Sequence, residues 1–158
     1  MRWEKRRPKF DLDFNSTIPE QIGITPKTID KKLYQMDFFH RQSGRIYDTD
    51  FLDLLALIKS VNTLTPNQAL LSLNFCGNFL TDRPEHHRQS KCTEPLWEMI
   101  KSRKVNLEVC HYNALLKAYV DNNHTFSPTS FLGKLAENNI DPNQMTFQHL
   151  VRKYCQVN

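Results

Sequence analysis

The sequence predicts an all-α fold, a right-handed α-solenoid of antiparallel helix pairs. Three observations carry that expectation. Leucine occurs 18 times and valine six times, and unbranched side chains lose less rotamer freedom in a helix than β-branched ones. Apolar residues recur at three- and four-residue spacing through most of the chain, the period of one helix face. Two stretches toward the C-terminus also match each other, gap-free, at an offset of 35 residues, a period at which two-helix units stack.

Taken in order, residues 1–28 read as a basic tail and lead-in, because Pro8, Pro19 and Pro26 interrupt any long helix. A helix over 28–42 carries Ile29, Leu33, Met36 and Phe39/Phe40 and stops at Ser43-Gly44. Asp48 or Thr49 is expected to cap a second helix holding Phe51, Leu52, Leu54, Leu55, Ile58 and Val61. Thr65 caps a third, with Pro66 at a first-turn position where its missing N–H is harmless. After a polar stretch over 81–90, Thr93-Glu94-Pro95 opens a fourth helix with Leu96, Trp97, Met99 and Ile100. The basic turn 101–104 closes it, as suits a helix C-terminus. Three more helices are expected near 111–120, over 128–138 behind a Ser127 cap, and over 144–155. Short connections make consecutive helices antiparallel neighbours, and 29–158 becomes one helical-repeat domain.

Composition narrows the function. The 158 residues are 39% hydrophobic and 24% charged, a globular balance. Four scattered glycines form neither a dinucleotide-binding loop nor a P-loop. No nucleophile elbow, H-E-x-x-H or paired acidic motif appears, so no catalytic residue and no cofactor is expected and the chain is not read as an enzyme. No apolar run is long enough for a membrane span. His86, His87 and Cys92 lack the second ligand pair a zinc site needs, so no metal is expected. Cys76, Cys92, Cys110 and Cys155 show no regular spacing and read as free buried thiols. Residues 1–10 hold five basic groups against one acid and so carry the whole net charge of +4, while the rest holds 16 of each sign. The neutral body makes a weak case for a polyanion partner, and the tail reads as solvated. That tail has no apolar segment of a secretory signal, and Glu4, Asp11 and Asp13 argue against a transit peptide.

The repeat is the informative feature. Residues 110–119 align with 145–154, pairing Tyr112 with Phe147, Asn113 with Gln148, Leu115 with Leu150, Leu116 with Val151, Lys117 with Arg152 and Tyr119 with Tyr154. The same offset pairs Leu96 and Trp97 with Phe131 and Leu132, and Ile100 with Leu135. Helical periodicity alone explains the apolar matches; matched amides and bases, which no core demands, favour a true repeat. Tyr112, Leu115, Leu116, Tyr119, Phe131, Leu132, Leu135, Ile140 and Trp97 are expected in the core.

Residues 109–143 read V-x-x-Y-N-x-L-L-x-x-Y, then an aliphatic-rich second helix, then Ile140-Asp141-Pro142-Asn143. This unit resembles a pentatricopeptide repeat, and 144–158 resembles the first half of another. The string HYNALLKAY with FSPTSFLGKLAENNIDPNQMTF is similar to the mitochondrial leucine-rich PPR-motif group. The likeness is strong over about 105–155, weaker over 29–104, and absent over 1–28.

What the resemblance implies is a single-stranded RNA ligand, read at about one base per repeat by two or three side chains. Carried over residue by residue, Asn113 and Asn143 touch the base edge, Cys110 and Met145 clamp the base, and Gln148 begins the next contact. An amide suits that task, offering both a donor and an acceptor. Lys117, Arg152 and Lys153 are candidates for phosphate, where charge positions a strand without reading it. Asn113 and Gln148 should then share one concave wall. Each amide also has a plainer reading as a polar helix-face residue, and Asn143 as an N-cap.

The resemblance further implies the mitochondrion, with the nucleus as a second compartment, and control of mRNA stability or translation. It also implies a small RRM-type RNA-binding protein as partner. A protein-interaction scaffold that never touches RNA is the alternative. Because residues 144–158 supply one helix of a pair, Phe147, Leu150 and Tyr154 are expected to be under-covered, which points to a partner, self-association or a longer array.

Overall fold

The computed structural model describes residues 26–77, 80–81 and 88–157. The basic tail, His86 and His87 lie outside these described residues. The elements in order are α1 (Pro26–Ser43), β1 (Arg45–Ile46), α2 (Asp48–Ser60), α3 (Pro66–Asn74), β2 (Leu80–Thr81), α4 (Arg88–Ser102), α5 (Val109–Asp121), α6 (Pro128–Glu137) and α7 (Gln144–Val157). The fold class is all-α. Among the described residues, no helix is long and apolar enough to cross a membrane.

The packing follows the hydrophobic period. Helix α1 packs on α2 and on α3, α3 on α4 and α5, and α5 on α7, while α2 lies against α4 and α6 against α7. The core these faces share includes Ile29 and Leu33, Phe51 and Leu54, Leu73, Leu96, Trp97 and Ile100, Leu115 and Leu116, and Leu135. At its centre the Trp97 ring meets Tyr112 edge-on, with centroids 5.1 Å apart and planes at 72°, a favoured aromatic geometry. Leu132 and Ile140 are half-buried at its margin.

Three details depart from the sequence expectation. Helix α4 begins at Arg88, so Pro95 lies inside the helix rather than opening it. The proline forfeits one backbone hydrogen bond there, and burial of Thr93, Leu96, Trp97 and Ile100 holds the helix through it. Neither Asp48 nor Thr49 caps α2; Tyr47 is the N-cap, without a side-chain bond, and Asp48 falls in the first turn. Arg45–Ile46 pairs in parallel with Leu80–Thr81, a short ladder that period-two alternation could not reveal over two residues.

Helix ends obey the register as well. Gly44, Lys104, Asn123 and Asn139 all take left-handed φ values between 55° and 69° just past helices α1, α4, α5 and α6. Behind two of them the chain closes with His124 N–H donating to Tyr119 O and Ile140 N–H to Leu135 O, each at 2.9 Å. That is the 6→1 bond of a Schellman turn. Lys104 is the worst-suited of the four side chains, because a left-handed backbone crowds its Cβ.

The four cysteines are free. Only Cys76 is fully buried, Cys92 and Cys110 being partly covered and Cys155 exposed, so the expectation of buried thiols holds for one of them. Burial pushes the Cys76 thiol up to about 12, with a hydrogen bond from Thr93 acting the other way.

Two outcomes follow. Lys104→Gly is expected to raise unfolding stability by about 0.5–1 kcal/mol in denaturant melts, since glycine tolerates the left-handed backbone. Iodoacetamide at neutral pH is expected to label Cys155 readily and Cys76 only on unfolding, because the thiolate is the nucleophile. Mass spectrometry of tryptic fragments reads the difference.

Candidate nucleic-acid interface

The helix N-termini that build the site share one device. In each of α3, α5 and α7 the third helical residue reaches back to the N-cap backbone. Thr65 N–H donates to Gln68 Oε1 at 3.0 Å, Glu108 N–H to His111 Nδ1 at 3.0 Å, and Asn143 N–H to Thr146 Oγ1 at 3.1 Å. Gln68 and Thr146 complete reciprocal capping boxes, their own N–H groups donating to Thr65 Oγ1 and Asn143 Oδ1.

Each of these three side chains is almost wholly buried, and each also bonds the preceding first helix. Gln68 Nε2 donates to Asp30 Oδ1 on α1 at 2.9 Å. His111 Nε2 lies 2.8 Å from Pro66 O on α3. Thr146 Oγ1 donates to Asn113 Oδ1 on α5 at 2.6 Å. With His111 Nδ1 accepting from Glu108 N–H, Nε2 is the ring nitrogen left to donate to Pro66 O. The caps therefore double as joints between α1, α3, α5 and α7.

At the last joint lie the two amides that the family resemblance assigns to the base edge. Asn113 Nδ2 donates to Asn143 Oδ1 at 2.9 Å, although 30 residues separate them in sequence. Asn113 is nearly buried, whereas Asn143 is exposed at the start of α7. Cys110 is half-buried, its Sγ 3.5 Å from His111 Nδ1, and Met145 is 48% exposed. Cys110 lies three residues before Asn113, and Met145 two residues after Asn143.

Gln148 departs from its counterpart. It is exposed, while Asn113 is closed over by Thr146 and Asn143. Among the described residues no helix lies on α7 as α7 lies on α5. The same asymmetry governs the apolar row. Tyr112, Leu116 and Tyr119 are at most 5% exposed, whereas Phe147, Val151 and Tyr154 are 50%, 60% and 67% exposed. Leu150, expected to be under-covered, is instead 6% exposed, because it faces back toward the helices that precede it. Val151 is the exposed residue that reading missed.

The cationic candidates divide. Lys117 and Arg152 meet at one carboxylate, Lys117 Nζ 2.6 Å from Asp121 Oδ2 and Arg152 Nη2 2.9 Å from Asp121 Oδ1. Their side chains remain about half exposed. Lys153 turns inward, donating to His124 O at 2.6 Å and lying over the Phe126 ring, so it is not presented to a strand. A Cβ at Gly77 would come within 3.2 Å of Asp121 Oδ2 and 3.4 Å of Lys117 Nζ, which fits a glycine there.

Burial pushes the Asp121 carboxyl up, but hydrogen bonds and charge from Lys117 and Arg152 outweigh it and hold the group below its ordinary range. Burial also lowers His149, and the charges of Arg152 and Lys117 lower it further against Asp121. Its Nδ1 is buried without a hydrogen-bond partner among the described residues. No cluster of three or more metal-ligating side chains occurs among the described residues.

Sequence reading missed Thr146, His111, Glu108 and Asp121. Thr65-x-x-Gln68 is a legible capping pattern; Glu108-x-x-His111 and Asn143-x-x-Thr146 become legible only by sliding that pattern along the chain.

Both depressed groups make stability fall on acidification. An unfolded histidine takes up its proton near 6.5 while folded His149 resists, so the folded state loses ground as pH drops below 6.5. Asp121 adds a second loss below its ordinary 3.8. Urea midpoints are expected to decline between pH 7 and 5, and His149→Gln is expected to flatten that first decline.

Relatives place these features in context. The chain is 36% identical over 126 residues to the leucine-rich PPR motif-containing protein, mitochondrial, of Xenopus tropicalis, a match covering 80% of the chain. It is 34% identical to the protein of that name from Mus musculus and 33% identical to that from Rattus norvegicus, each over 139 residues and 88% of the chain. The chain spans only about a tenth of the length of these curated relatives. No family model matches it. The relatives are mitochondrial by name, and the chain is assigned to the mitochondrion with them. Over 80–88% of its length the chain is thus a homologue of the leucine-rich PPR motif-containing proteins.

Proposed function

We propose that the chain is a single-stranded RNA-binding part of a helical-repeat protein that controls the stability or translation of mitochondrial transcripts. Residues 29–158 form its repeat domain, an α-solenoid with 109–143 as the best-matched unit. The file of first helices α1, α3, α5 and α7 supports that architecture. The observation that carries the reading is the meeting of Asn113 and Asn143 at 2.9 Å. Two amides from opposite ends of one unit converge at a single edge, as base-by-base reading requires. Cys110 and Met145 flank that edge, Gln148 stands at the next position, and Lys117 and Arg152 supply shared positive charge farther along the same two helices. A small RRM-type protein completes the assembly by the same resemblance. The relatives' names carry the PPR motif.

A second reading, a protein-interaction scaffold without RNA contact, draws on two observations. Phe147, Val151 and Tyr154 form an exposed apolar row on α7, and Asp121 neutralises part of the cationic pair.

Filter binding of single-stranded oligonucleotides at two salt concentrations tests the first reading. Affinity is expected to fall with salt, by a slope of roughly 0.7 per phosphate contacted. It is expected to fall at least roughly tenfold in the Asn113→Ala, Asn143→Ala double variant, two hydrogen bonds being removed, with helicity retained by circular dichroism. Loss of binding only on deletion of residues 1–10 would assign RNA contact to the tail instead.

A further inference from the structure

We infer that Tyr34 and Phe38 on α1 form a stacking platform for a base of a single strand, whichever base that is. The inference rests on the RNA-binding reading and adds to it a contact site on α1, away from the asparagine pair.

One stripe of α1 carries the site. Lys27, Lys31, Tyr34, Phe38 and Arg41 follow one another at intervals of four, three, four and three residues, so they share a helix face. Tyr34 is 63% exposed. Its ring stacks on that of Phe38, with centroids 6.5 Å apart and planes at 26°, a favoured aromatic arrangement. Lys27 and Arg41 are exposed at the two ends of the stripe. Arg41 Nε meets Asp37 Oδ2 at 2.9 Å, but both side chains are at least 43% exposed. An ion pair in that setting contributes little, and the guanidinium keeps further donors. Helix α1 holds four Lys and Arg against two Asp, whereas residues 11–158 hold 16 of each sign. Aromatic rings set between cations suit a single strand, because rings take bases and charges take phosphates.

The joints place this stripe in the helix file. Gln68 bonds Asp30 on α1 as Thr146 bonds Asn113 on α5, so Asp30 and Asn113 hold equivalent positions. Tyr34 follows Asp30 by four residues, and Lys117 follows Asn113 by four. One wall of the file therefore carries Tyr34 on α1, Lys117 on α5 and, 35 residues on, Arg152 on α7. Helices α1 and α5 both lie against α3, which sets the platform and the Lys117 position two helix spacings apart, about 16–20 Å. Nor does Tyr34 lie on the side where a first helix meets the one before it. On α7 that side carries Thr146 and Leu150, whose counterparts on α1 are Thr28 and Lys32.

The test measures the affinity of the whole chain for oligo(U), oligo(A) and a fully abasic strand of the same length. Tyr34→Ala is expected to weaken binding of both base-bearing strands by at least roughly fivefold, the low end of base–aromatic stacking. The abasic strand is expected to bind as before, and the salt slope to stay at its wild-type value, since no charge is removed. Tyr34→Trp keeps a ring and is expected to retain wild-type affinity, its added fluorescence falling as oligo(U) binds. Circular dichroism checks that helicity is kept. Unchanged affinity for oligo(U) and oligo(A) in Tyr34→Ala overturns the platform; if the Asn113→Ala, Asn143→Ala variant loses binding in the same series, the RNA-binding reading stands without it. An equal loss on the abasic strand also overturns the platform, because it reports charge or folding instead of stacking. Binding of no strand by the wild type overturns the RNA-binding reading and the platform with it.

Discussion

One constraint runs through the helix file: the third residue of each capped first helix must satisfy two helices at once. Gln68, His111 and Thr146 are chemically unlike, yet all are buried, all accept from their own N-cap backbone, and all bond the preceding first helix. A buried polar group that loses its partner costs about 1–3 kcal/mol. Each joint therefore specifies the axial register of one helix on the next, where apolar packing alone would tolerate sliding. The core supplies cohesion and the caps supply alignment.

That alignment also brings the chemistry together. Asn113 is five residues into α5 and Asn143 is the cap of α7, so the seating of α7 fixes their separation. The Asp121 cluster lies toward the other end of the same two helices, joining Lys117 on α5 to Arg152 on α7. One helix pair is thus pinned by amides at one end and by an ion pair at the other.

Much of this was legible in the sequence. The all-α class, the order of the helices and the caps at Thr65 and Ser127 follow from periodicity and local turn chemistry. Asn113 and Asn143 were named together by the family resemblance alone, since the 35-residue match pairs Asn113 with Gln148. What stayed hidden was set by tertiary contacts. Pro95 looks like a helix start because its local cost is certain and the burial that offsets it is not visible in sequence. Lys153 looks like any surface cation until His124 and Phe126 are known to lie beneath it. Thr146 reads as one more small polar residue, since its importance comes from two asparagines that are distant or ambiguous in one dimension.

The capping joints also explain a mismatch in spacing. Glu108 and Asn143 are 35 residues apart, while Thr65 and Glu108 are 43 apart. The longer unit contains β2, and β2 pairs with β1 beside the preceding helix turn. The joints at Thr65, Glu108 and Asn143 keep one form although the stretches between them differ in length. A protein assembled this way can vary the length of its units over evolutionary time while preserving the seating of one helix on the next.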